Sequence, residues 1–205
     1  MKIRTLPILA CLLVLMTAAC SENDKLDEFH DWQSRNDAYM DSIADYVNAH
    51  YTDRGISQYN AVEGDMFRIL SYRLDPAVTE REVSDYVYCR VLKKGDGTVS
   101  PAFTDEVLID YRCRLIPTEE HPDGFVADQS FKTETFDPST NIPASFKVSE
   151  LVNGMATAIP AMKEGDIWRI YIPYRLGYNK TERSSIPAYS TLVFDVRLAE
   201  IPEQN

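Results

Sequence analysis

Histidine is scarce in this chain, and positive charge is outnumbered. The three histidines, His30, His50 and His121, stand far apart with no ligand spacing among them. A metal centre needs several donors at close spacing, so no metal site is expected. Lys and Arg number 21 against 32 Asp and Glu, for a formal net charge of −11. Without a net basic footprint the chain has little with which to displace counterions from phosphates, which excludes nucleic acid as a partner. Long apolar runs are missing too. The longest, Leu6–Met16, covers roughly 11 residues where a spanning helix needs ~20.

That short run has the flanks of a targeting segment. Lys2 and Arg4 precede it, and Thr17-Ala18-Ala19-Cys20 follows with small residues and a cysteine. The arrangement resembles a bacterial lipoprotein signal with its lipobox, with Thr17 where Leu is commonest. The resemblance implies cleavage before Cys20 and lipid on Cys20, so residues 1–19 are expected to leave and the mature chain to be anchored to a membrane rather than embedded in it. Removal leaves 19 basic and 32 acidic side chains, a net charge of −13. Such a charge suits a protein kept soluble outside the membrane. The expected location is the cell envelope at the outer membrane, because Ser21 replaces the Asp that retains some lipoproteins at the inner one. Glu22 and Asp24 resemble the acidic start of surface-displayed Bacteroidetes lipoproteins.

Cysteine is equally sparse. Cys11 falls within the signal and Cys20 at its end, leaving Cys89 and Cys113. In an exported protein these two could pair. Each sits mid-strand among apolar neighbours, and two buried free thiols are the favoured reading.

Residues 20–83 read as a polar tether, an amphipathic helix and a connector. Across Leu26–Tyr51, the residues Phe29, Trp32, Tyr39, Ile43, Tyr46 and Val47 recur three, four or seven apart on one stripe, and Asp and Arg residues fill the other face. No Pro or Gly interrupts this span before Gly55. The stripe either docks on the domain that follows or pairs with a second copy to make a homodimer; docking is preferred. Asp41-Ser42-Ile43 resembles the short O-glycosylation motif of Bacteroidetes. A strand is expected around Asp65–Leu74, ended by Asp75-Pro76. The connector is too apolar to stay solvated and should pack on the domain.

From residue 84 the period changes to two. Val87, Cys89 and Val91 alternate with Tyr86, Tyr88 and Arg90. Val107, Ile109, Tyr111, Cys113 and Leu115 alternate with Asp110, Arg112 and Arg114. Phe146 and Val148 mark a short strand, and Leu151–Ile159 a short helix limited by Pro160. Trp168, Ile170 and Ile172 alternate with Arg169 and Tyr171, and Leu192, Phe194, Val196 and Leu198 with Val193, Asp195 and Arg197. The tally is five strands and one short helix. One sheet face would be wet and the other covered by the helix. The loop between the last two strands, Pro173–Ser190, sets Tyr178 and Ile186 at the mouth of that core, a candidate pocket for an apolar ring.

Residues 86–201 resemble the FKBP-type peptidyl-prolyl cis–trans isomerases. The tail carries most of the likeness: Met162…Gly165, then Leu176-Gly177-Tyr178-Asn179, then Ile186-Pro187 before Thr191-Leu192-Val193-Phe194-Asp195-Val196. Upstream, Val107…Asp110-Tyr111, Asp128-Gln129-Ser130 and Phe146…Leu151-Val152 with Gly154 fall in the family order. The resemblance implies an α+β fold, a twisted five-stranded antiparallel sheet wrapped round one short helix, over residues 84–205. Its strand order puts two strands between Cys89 and Cys113, too far apart to bridge at ~4.8 Å per strand.

The implied activity is prolyl isomerisation of proline-containing polypeptide clients, assisting the folding of envelope proteins. Twisting an amide breaks no bond, so no nucleophile, general base or cofactor is required. The resemblance assigns Tyr111, Asp128, Tyr178 and Phe194 as catalytic, and Phe146, Leu151, Val152, Met155 and Ile186 as substrate-binding. Tyr178 would offer its hydroxyl to a substrate carbonyl, Val152 its backbone N–H, and Ile186 would form the far lip. Three positions depart from the family: Met155 replaces the pocket-floor Trp, Ala127 the Phe before the pocket Asp, and Asn179 the Gly after the pocket Tyr. Phe125 and Phe131 stand close enough in sequence to substitute for that Phe. Met lacks the rigid flat face of an indole, so a weakened isomerase is expected. The alternative is a non-catalytic binding or chaperone module with a degraded pocket.

Overall fold

The computed structural model describes residues 27–133, 137 and 139–202. The expected signal and Cys20 lie outside the described residues. Among those described, no helix is long and apolar enough to cross a membrane.

Helix α1 covers Trp32–His50. It starts later than its stripe predicts because Asp31, at φ 49, is left-handed and cannot be part of it. The strands are β1 (Met66–Leu70), β2 (Tyr86–Lys93), β3 (Glu106–Arg114), β4 (Val126–Gln129) and β5 (Ala144–Lys147). Helix α2 (Asn153–Ala158) precedes β6 (Ile167–Ile172) and β7 (Leu192–Glu200). All pairs are antiparallel, in the order β1-β2-β6-β7-β3-β4, with β5 also on β3. β4 pairs with the end of β3 around Arg112–Arg114 and β5 with its start, so the two short strands share one edge. Counted once, that edge completes the five expected strand positions. β1 adds a sixth, built from the connector. β4 was not expected; it is short and half-exposed, with no apolar alternation to reveal it.

Alternation sends one side-chain set of each strand to α2 and the other to the opposite face. Val107, Ile109, Cys113, Trp168, Ile170, Leu192, Val196 and Leu198 form the inner core with Met155 and Ile159. Gly154 lets α2 approach the sheet, since a Cβ there would lie 2.3 Å from Ile172 Cγ2. Past Ala158 the helix tightens into a 3₁₀ turn over Ile159–Ala161, which accommodates Pro160.

The other face is not simply wet. Tyr88, Tyr171 and Val193 belong to the set expected toward water, yet they are buried with Met66 beneath Met40, Ala44 and Val47 of α1. α1 docks on the sheet through a stripe of Trp32, Asn36, Met40, Ala44 and Val47. Tyr46, expected on that stripe, is exposed. Cys89 and Cys113 are buried free thiols on β2 and β3, with β6 and β7 between them. Burial raises both thiols, Cys113 to about 12, so neither is a reactive thiolate at neutral pH.

Candidate functional site

Between the start of α2 and the β3–β7 half of the sheet lies a cavity of about 230 Å³. β3 contributes Ile109 and Tyr111, β7 contributes Phe194, and β5 contributes Phe146. The approach to α2 supplies Glu150, Leu151 and Val152, α2 itself supplies Met155, and Asp128 and Tyr178 close the rim. The Tyr111 ring stands edge-on to Phe146 at 5.9 Å and tilted to Phe194 at 6.0 Å. Spacing of this kind suits the aromatic quadrupoles and keeps three rings round one hollow.

Two phenols face it in different states. Tyr111 Oη donates to Asp128 Oδ2 at 2.7 Å. Burial, and then this bond, hold its proton more tightly than an ordinary phenol's. The backbone fixes the pair, because Tyr111 N–H donates to Ser130 Oγ and Ser130 N–H to the Tyr111 carbonyl. Tyr178 is also raised by burial. Its hydroxyl has no hydrogen-bond partner among the described residues, while the Arg183 guanidinium lies 5.5 Å from its ring centre. Both phenols therefore stay protonated donors through neutral pH. Val152 precedes the first turn of α2, where a helix leaves its leading N–H groups without intrahelical partners.

Of the nine pocket residues expected, eight line this cavity. Ile186 does not: it is buried in the main core instead, in a tight bridge with Arg183, while neighbouring Ser185 donates to the Ala127 carbonyl. Ile109 and Glu150 join the wall unexpectedly. Ile109 was findable, two residues before Tyr111 on the same strand face; Glu150 follows only from the tight turn before Leu151. Neither Phe125 nor Phe131 substitutes for the missing Phe. Phe125 meets His121 edge-on, and Phe131 lies under Arg112 and borders a hollow on the outer sheet face. Asn179 takes φ 57, a left-handed conformation Asn tolerates better than most residues, so the loss of Gly there does not disturb the turn.

The family model for FKBP-type peptidyl-prolyl cis-trans isomerases matches residues 97–199. The chain belongs to this family. It is 36% identical over 121 residues to a macrophage infectivity potentiator of Trypanosoma cruzi, covering 58% of this chain and 55% of that one. It is 37% identical over 113 residues to the FKBP-type 22 kDa peptidyl-prolyl cis-trans isomerase of Escherichia coli K12, covering 55% and 48%. The chain thus spans about half the length of these curated relatives. A crystal structure of a peptidyl-prolyl cis-trans isomerase from Pseudomonas syringae pv. tomato superposes with a TM-score of 0.46 at 25% identity, covering 57% of this chain and 76% of that one. The family segment begins at residue 97, after α1, β1 and β2.

Proposed function

We propose that this protein is a peptidyl-prolyl cis–trans isomerase whose three-ring cavity holds the pyrrolidine of a client polypeptide. One observation carries the reading: Tyr111, Phe146 and Phe194 enclose a single hollow whose rim bears a hydrogen-bonded Asp128 and a Tyr178 hydroxyl with no partner among the described residues. The barrier to amide rotation is ~18–20 kcal/mol and comes from resonance lost on twisting. A dry aromatic wall grips the ring and withdraws the amide from water, which favours the less charge-separated twisted form. The Tyr178 hydroxyl and the Val152 N–H hold the carbonyls on either side. With Met155 as floor and no aromatic at Ala127, the grip is weaker than in a member with the full set. A protease-coupled assay on a prolyl tetrapeptide tests this, with a rate above background but below that of a full-aromatic homologue expected. Tyr178→Phe and Phe194→Ala should each lower kcat/KM well below wild type, to a rate still above background, while staying folded. A wild-type rate equal to background would leave a non-catalytic binding module, the reading that Met155 and Ala127 favour.

The same proposal places the mature chain on lipid at Cys20 in the cell envelope, at the outer membrane, with envelope proteins as clients. Detergent-phase partitioning of the full chain checks the anchor, because Cys20→Ala should move it to the aqueous phase. With its apolar stripe turned to the sheet, α1 acts in this reading by docking rather than by pairing with a second copy. Residues 21–205 should elute as a monomer on gel filtration.

A further inference from the structure

α1 precedes the family segment, yet its most buried polar contacts go to the loop that carries Tyr178. Trp32 and Asn36 lie one turn apart and are 6% and 0% exposed. Trp32 Nε1 donates to Ser190 Oγ at 2.8 Å, and Ser190 Oγ donates to the Pro187 carbonyl at 2.7 Å. Asn36 Oδ1 accepts the Thr191 backbone N–H at 2.7 Å, while its Nδ2 donates to the Trp32 carbonyl at 2.7 Å. Apolar contact alone would seat a helix, and Met40, Ala44 and Val47 supply it further along. The first turn of α1 instead forms a hydrogen-bonded polar cluster with two consecutive residues at the end of the loop, in which the buried Thr191 hydroxyl alone lacks a partner among the described residues. Such a cluster fixes geometry more sharply than apolar packing does.

The end of the loop is bonded to its middle. Tyr189 N–H donates to the Asn179 carbonyl at 2.8 Å, and Asn179 N–H to the Tyr174 carbonyl at 2.8 Å. The Tyr174 and Tyr189 rings meet edge-on at 5.4 Å, and Gln33 Nε2 of α1 reaches the Tyr174 hydroxyl at 3.4 Å. Tyr189 sits at φ 62, and for a residue of its bulk that is a strained state which persists only where the surroundings impose it. The residues that follow it are the two held by Trp32 and Asn36. Asn179, its bonded partner, follows Tyr178 directly.

We propose that Trp32 and Asn36 are positioning residues for the prolyl pocket: by holding Ser190 and Thr191 they fix the Tyr189–Asn179 link and so set Tyr178 against the cavity. The inference rests on the prolyl-isomerase reading of that cavity and extends the site to a helix outside the family segment.

A double-mutant cycle on the full chain tests it. Trp32→Phe keeps an aromatic ring and deletes the N–H, and Ser190→Ala removes the same bond from the other side. Each should lower kcat/KM about fivefold, the worth of one hydrogen bond. In a Tyr178→Phe background neither should lower it further, because both act through Tyr178. Amide exchange at Tyr189 and Asn179 should quicken in both variants while β7 amides hold their wild-type rates. Losses that simply add to that of Tyr178→Phe, or unchanged exchange at Tyr189, would overturn the proposal. If the wild-type chain proves inactive, the functional reading falls, and exchange at Tyr189 and Asn179 decides the positioning question alone.

Discussion

On its inner face the sheet meets α2 through apolar side chains and leaves a hollow walled by Tyr111, Phe146 and Phe194. On its outer face it meets α1 through Met66, Tyr88, Tyr171 and Val193, then gives way to a strip of charge. In that strip Arg169 grips Asp195 with two hydrogen bonds of 2.6 and 2.9 Å, and Arg114 adds a third at 2.8 Å. Arg197 reaches buried Asp110 across the β3–β7 pair at 3.0 Å. Burial alone would raise the Asp195 carboxyl, but the Arg169 and Arg114 guanidiniums outweigh it and hold the group below the usual carboxylate range. Arg169 and Asp195 sit directly opposite in the β6–β7 register, and so do Asp110 and Arg197 in β3–β7. Cross-strand pairs of this kind favour one register over a slip. The outer face thus secures the alignment of β6, β7 and β3, and the inner face can keep a cavity in the same strands.

Neighbours in β7 allow this division to be broken. Asp195→Ala strands two half-buried guanidiniums and should cost about 2–3 kcal/mol of stability in urea unfolding, with kcat/KM of the folded fraction unchanged. Phe194→Leu, one residue earlier on the opposite face, should do the reverse. Its kcat/KM should fall about tenfold while stability shifts by less than ~1.5 kcal/mol. If Asp195→Ala lost activity in proportion to Phe194→Leu, the two faces would not be separable.

The inner face was legible because its residues are apolar at every second position; Val107, Ile109 and Tyr111 announce their strand without help. Eight wall residues followed once the family likeness gave those strands a partner helix. The outer face was not legible, since alternation assigns Tyr88, Tyr171 and Val193 to water and only a helix from outside the sheet reverses that. Asn36 marks the limit most clearly. It lies on the buried stripe between Trp32 and Met40, but a reading based on apolar residues passes over an amide whose value lies in two hydrogen bonds. Ile186 shows a different limit: the motif gives its place in the sequence, but the turn through Arg183 and Ser185 carries its side chain into the core.

A smaller effect should come from rebuilding the floor of the cavity. Met155 is 2% exposed and touches the hollow, so Met155→Trp has open volume to enter. Restoring an indole there should raise kcat/KM about threefold, under 1 kcal/mol of transition-state binding, and leave α1 and the outer face undisturbed. A fall in rate with a lower unfolding midpoint would mean that the α2–sheet gap is already full and that the weakness lies at Ala127.

The least change should come from pH, and its sign follows from the tyrosines of both faces. Burial pushes Tyr39 of α1 and Tyr88 of the sheet beneath it up to about 12, and it also raises Tyr111 and Tyr178 in the cavity. Unfolded tyrosine titrates near ~10. A folded pKa above the unfolded one means that folding favours the protonated phenol. That contribution is whole below pH ~10 and is lost as pH rises toward the folded values. The proposed mechanism uses two protonated phenols and no general base, so kcat/KM should be flat from pH ~6 to ~9, where the phenols of both faces keep their protons. Above pH ~10 stability should fall, and Tyr39→Phe should soften that fall without moving the activity plateau, because its hydroxyl belongs to the outer face alone. A rate that halved near neutral pH would require a titrating group in the step itself, and the picture of a grip on the prolyl amide that moves no proton would have to be abandoned.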